Sequence, residues 1–93
     1  MRLSEKEIKL IKQKVKSVFG EAVIYLFGSR LDDSKRGGDI DLYIITPTKD
    51  NLFSKKRRLK LILEDVLYKP IDVIVSIDKN RPIEKEAAKG VTI

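Results

Sequence analysis

The stretch FGSRLDDSKRGGDIDLYI, Phe27 to Ile44, decides how the chain is read. An apolar run stops at Gly28-Ser29, passes through a charged loop, and returns as Asp39-Ile40-Asp41-Leu42-Tyr43-Ile44. In extended backbone, residues two apart share a face. Asp39 and Asp41 therefore project together, about 7 Å apart at the backbone, while Ile40, Leu42 and Ile44 project the other way, into a core. The alternation predicts a strand from Asp39 to Thr46, stopped by Pro47.

On the N-terminal side, Ala22 to Phe27 is short, β-branched and aromatic, and reads as a strand. Before it, Ser4 and Glu7 have the spacing of a capping box, with Leu3 and Ile8 at the hydrophobic-staple positions. Ile8, Ile11, Val15 and Val18 follow at helical spacing up to Gly20, so the first helix covers about residues 5–18. On the C-terminal side, Asp50 or Asn51 can cap a second long helix whose apolar face is Leu59, Ile62, Leu63, Val66 and Leu67. Ile71 to Ile77 reads as a third strand. Pro82 suits the first turn of a last helix with Gly90 as its C-cap, and Val91 to Ile93 suits a short terminal strand. The 93 residues hold one domain, residues 1–93. The expected class is α/β (α+β), a small three- to four-stranded mixed sheet with helices packed against it.

Composition removes several chemistries. With no cysteine there is no disulfide, zinc-thiolate site or thiol nucleophile. With no histidine there is no Ser-His-Asp triad and no imidazole acid–base catalysis. Chemistry is left to carboxylates, hydroxyls, Lys, Arg and backbone. No apolar run is long enough to span a membrane, and the first residues lack the apolar core of a signal peptide, so a cytoplasmic protein is expected. The net charge of +6 favours anionic partners such as nucleotides, nucleic acid or an acidic protein face.

Asp72, within Lys69-Pro-Ile-Asp-Val-Ile-Val-Ser76, is the only charge in an apolar strand. If that strand lies beside the Asp39–Thr46 strand, its carboxylate comes within about 5 Å of the aspartate pair. Three carboxylates so close repel one another unless a cation intervenes, and hard divalent ions such as Mg²⁺ take oxygen ligands. Each aspartate alone also fits a turn or a solvated surface. Gly28 lets the backbone approach a ligand closely, and Ser29 offers a hydroxyl and an N–H to an anion. No G-x-x-x-x-G-K-[ST] sequence occurs, so this is not a P-loop.

Gly-Ser, a spacer, Asp-x-Asp and a third carboxylate on a later strand resemble the nucleotidyltransferase superfamily that includes DNA polymerase beta. The similarity is strongest to the minimal nucleotidyltransferase (MNT) group of prokaryotes. It covers nearly the whole chain, through FGSR, DIDLYI, IDVIV and the ending IEKEAAKGVTI. The resemblance implies a nucleotidyltransferase fold, with Gly28 and Ser29, supported by Arg30, on the nucleotide triphosphate. It also implies that Asp39, Asp41 and Asp72 serve as the catalytic residues and as ligands of Mg²⁺, two ions. ATP is the implied substrate. The implied role is the antitoxin of a toxin–antitoxin module, transferring AMP to a tyrosine of a helical HEPN partner. The chain departs from the pattern after Arg30, where Leu31-Asp32-Asp33 stands in place of the Ala-Arg-Gly of many members. Two further carboxylates there repel a triphosphate unless they turn outward.

Two other readings compete. One is a catalytically silent module that binds a nucleotide or neutralises a HEPN protein by contact. The other is a small RNA-binding domain, against which stand the low aromatic content and the lack of a base-stacking motif. Lys55-Lys-Arg-Arg58 reads as a solvated basic face, a partner surface or an RNA contact. Lys69 and Lys79 flank the third strand where phosphates are within reach, and Tyr25 and Tyr43 are expected to pack along the sheet.

Overall fold

Ser4 and Glu7 begin the first helix as their spacing predicts. The Glu7 amide donates to Ser4 Oγ at 3.1 Å, and the Ser4 amide donates to Glu7 Oε1 at 3.0 Å. The helix, α1, runs Glu5–Phe19 and buries Ile11, Val15 and Phe19. This is a computed structural model, and it describes residues 3–27, 40–47 and 49–93. The remaining elements are β1 (Val23–Phe27), β2 (Ile40–Ile45), α2 (Leu52–Leu67), β3 (Ile71–Val75), α3 (Pro82–Ala87) and β4 (Val91–Thr92).

The strands form one sheet in the order β3-β2-β1-β4. β2 and β3 are parallel, while β1 is antiparallel to both β2 and β4. A parallel pair cannot be joined by a tight turn, and α2 is the crossover that the topology demands. Alternation along the strands then sorts the side chains. Ile24, Leu26, Ile40, Leu42, Ile44, Ile71, Val73 and Val75 point to one face, where they pack with residues of α1 and α2. Leu59 and Leu63 of α2 are fully buried there. Burying each such side chain stabilises the fold by about 2 kcal/mol.

The turns differ from expectation in instructive ways. Asn51 does stand at the N-cap of α2, but its backbone is left-handed, at φ 52, and its side chain makes no capping bond. Gly90 is not the C-cap of the last helix. Ala88 holds that place, and Gly90 instead lies against β1, where a Cβ would collide with the Leu26 carbonyl oxygen. The glycine is required by closeness of approach. It lets the chain enter β4, whose pairing with β1 is followed by an Ile93 amide bond to the Ile24 carbonyl. β3 ends at Val75, because Ile77 and Asp78 turn to give their amides to Glu84.

Candidate functional site

The face of the sheet opposite the core carries the polar chemistry. Register places Phe27 opposite Asp41 on β1 and β2, and Asp41 opposite Asp72 on β2 and β3. Neighbouring strands lie about 4.8 Å apart, so the two aspartates form one row across the parallel pair. Asp72 is exposed and Asp41 half-buried. Like charges directly opposite one another destabilise a sheet. A bound cation removes that cost, and two adjacent carboxylates are a donor set suited to a divalent one. The pairing therefore fits such an ion. Among the described residues no group of three or more His, Cys, Asp or Glu is placed to hold a metal. Gly28, Ser29, Arg30, Asp32, Asp33 and Asp39 lie outside the described residues.

Two residues further along β2, a second row begins. Tyr25, Tyr43 and Ile74 are register partners on the same face as the aspartates. The Tyr25 and Tyr43 rings lie 5.7 Å apart, tilted by 34°. Both tyrosines pack along the sheet as expected. Tyr43 is buried, and its hydroxyl donates to Glu84 Oε1 at 3.0 Å. That bond seats α3 on the open face.

Glu84 is the residue that pattern reading missed. It is a fully buried carboxylate, approached from several segments. The amides of Ile77 and Asp78 donate to Oε2 at 3.0 and 2.9 Å, and Arg81 Nε donates to it at 2.7 Å. Burial pushes this carboxyl up. The Ser76 hydroxyl, the Asp78 and Ile77 amides and Arg81 outweigh burial and hold it at about 2. Glu84 is therefore a permanent anion at neutral pH. Burial also raises the Tyr43 hydroxyl above its ordinary value, with Glu84 adding to the rise through hydrogen bond and charge. The available signal was Pro82 at the first helical position with Glu84 two residues on, where a carboxylate meets free amides.

The flanking cations divide. Lys69 is bound to Glu7 at 2.7 Å and ties the start of α1 to the turn before β3. Burial raises the Glu7 carboxyl, but Lys69 and the Ser4 amide draw it below its ordinary value. Lys79 makes no ion pair among the described residues. In the basic run, Lys55 meets Asp50 at 3.6 Å and Lys56 lies 5.6 Å above the Phe53 ring centroid, while Arg57 and Arg58 are exposed.

A family model described as polymerase beta, nucleotidyltransferase, matches residues 6–93. No curated protein matches the chain. No described helix is long and apolar enough to cross a membrane.

Proposed function

The chain belongs to the polymerase beta nucleotidyltransferase family, and from that premise we propose that it transfers AMP from ATP to a hydroxyl of a protein partner. The observation that carries this reading is the register of Asp41 with Asp72 on the open face. Like charges in register cost a sheet stability, and a bound cation offsets that cost.

In this reading Asp41 and Asp72, with Asp39, would hold Mg²⁺, two ions as the family resemblance implies. The metal, when bound, supplies charge neutralisation at the phosphates and favours ionisation of the attacking hydroxyl. Gly28 and Ser29 bind the triphosphate through backbone N–H and hydroxyl, and Arg30 adds positive charge. The acceptor oxygen bonds to the α-phosphorus as the bond to the departing pyrophosphate breaks. The acceptor proton passes to the Asp72 carboxylate, which faces solvent. The residues act by positioning and charge stabilisation, which suits a chain without histidine. The acceptor is a tyrosine of a helical HEPN toxin, and the chain is its cytoplasmic antitoxin.

The test uses ATP labelled at the α-phosphate, Mg²⁺ and a HEPN protein. Label is expected on one partner tyrosine by mass spectrometry, lost with EDTA and lost in Asp41→Asn and in Asp72→Asn. Transfer that persists in both variants sinks the metal assignment. Neutralisation of the partner without any label identifies a contact inhibitor instead.

A further inference from the structure

Asp72 is the second residue of β3, close to where the strand begins. Pro70 has no amide to donate, so the strand starts abruptly at Ile71. Among the described residues β3 is also an outer strand of the sheet. An outer strand has a ladder on one side only, and its first residues fray most readily. On the β2 side the Ile40 amide donates to the Pro70 carbonyl. In a parallel ladder Pro70 and Asp72 then bond toward β2, and the amide and carbonyl of Ile71 point away from it.

Side chains of α2 take both outward groups of Ile71. Its amide donates to Glu64 Oε2 at 3.1 Å, and its carbonyl accepts from Lys60 Nζ at 2.6 Å. Lys60 Nζ also donates to Glu64 Oε2 at 3.1 Å, which closes a ring around one backbone residue. The Ile71 carbonyl belongs to the peptide unit that leads into Asp72. Lys60 follows Leu59 and Glu64 follows Leu63, both fully buried, so the ring is mounted on a firmly packed part of α2. The bonds from Ile71 and Lys60 hold the Glu64 carboxyl below its ordinary value. As a helix pair alone, lysine four residues ahead of glutamate is the weaker order, and a pair this exposed contributes little. What sets it apart is that both side chains reach the same backbone residue.

We propose that Lys60 and Glu64 are positioning residues for the aspartate row. By fixing both outward groups of Ile71 they keep Asp72 in register with Asp41. The inference rests on the reading of those aspartates as metal ligands. The ladder holds the start of β3 on one side and the ring holds it on the other, so the Asp72 carboxylate does not swing outward with a fraying strand end. The need is greatest before a cation arrives, when like charges in register push the two strands apart. Groups that orient metal ligands without touching the metal commonly change its affinity by roughly 10–100-fold when removed. Lys60 and Glu64 act in that way, through the backbone.

The probe is Mn²⁺ alone, titrated into the protein and read by water proton relaxation. Lys60→Met is expected to raise the Mn²⁺ midpoint roughly tenfold. Lys60→Arg is expected to bring it back to within about twofold of the parent, since a guanidinium can donate to carbonyl and carboxylate alike. Glu64→Ala is expected to raise the midpoint likewise and to speed hydrogen exchange at the Ile71 and Asp72 amides roughly tenfold. Lys89→Met breaks an exposed pair with Glu86 and is expected to change neither midpoint nor exchange. The melting temperature of each variant is measured, and titrations are run well below it. A lowered melting temperature with an unchanged midpoint marks a merely structural pair and overturns the proposal, as does a Lys60→Arg protein that binds no better than Lys60→Met. If the parent binds no Mn²⁺, or Asp72→Asn binds it fully, the metal assignment fails and this inference with it. Binding lost in Asp72→Asn beside a parental midpoint in Lys60→Met overturns the positioning role alone.

Discussion

In the middle of the open face, Glu84 is buried and receives hydrogen bonds from Tyr43, Ile77, Asp78 and Arg81. Two residues away along β2, Asp41 stands in register with Asp72, a second carboxylate, which is exposed. Both regions are acidic, yet one carboxylate is fully buried among converging donors and the other stands in register with a second, exposed carboxylate. A buried anion met by converging donors is explained by folding. Two anions in register across a parallel pair are what the proposed cation would hold together.

The largest expected effect breaks that contrast at the aspartates. Asp41→Asn should lower nucleotidyl transfer by roughly a thousandfold, the scale of losing a main stabiliser of transition-state charge. Asn keeps an acceptor oxygen for the contact Asp41 makes within the chain, so the variant's melting temperature without metal should stay close to the parent's, and the rise produced by Mg²⁺ with ATP in the parent protein should disappear. Calorimetry with and without EDTA measures both. A variant that melts well below the parent in EDTA would show that Asp41 serves the fold.

Glu84→Ala should do the reverse. It orphans buried donors and should cost about 3–4 kcal/mol of stability in denaturant titration. The acid limb of stability sharpens the point. The Glu84 carboxyl sits at about 2 in the fold, below its ordinary 4.5. Its contribution is therefore complete above about 4.5 and is lost as pH falls through about 2, on the order of 2–3 kcal/mol. Glu84→Gln should flatten stability against pH in that window. The smallest effect comes from Tyr43→Phe, which removes one donor while the others remain, at about 1 kcal/mol.

The same contrast explains what could be read from the sequence. The capping box at Ser4 and Glu7 is local, and its spacing suffices. The alternation of Ile40, Leu42 and Ile44 against Asp41 and Tyr43 assigns faces without knowledge of neighbours. The family follows from motif order, and the matched residues 6–93 agree with that breadth. The pairing of Asp41 with Asp72 could be stated only conditionally, because parallel adjacency is a property of the whole sheet. Glu84 was invisible for a stronger reason. Its donors lie on β2, on the turn after β3 and at the start of α3, so only the assembled fold reveals their convergence. Gly90 was assigned to a helix end, when its smallness serves contact with β1. The loop with Gly28, Ser29, Arg30 and Asp39 remains a sequence argument.

The crossover through α2 has a temporal consequence. Asp41 and Asp72 are separated by an entire 16-residue helix and meet only when β3 docks beside β2. Contacts of that sequence separation form after the entropy of closing the intervening chain has been spent. On the proposed reading, a partly folded or nascent polypeptide would show its acidic side chains singly, with no grip on a divalent ion, and competence for chemistry would arrive with completion of the sheet.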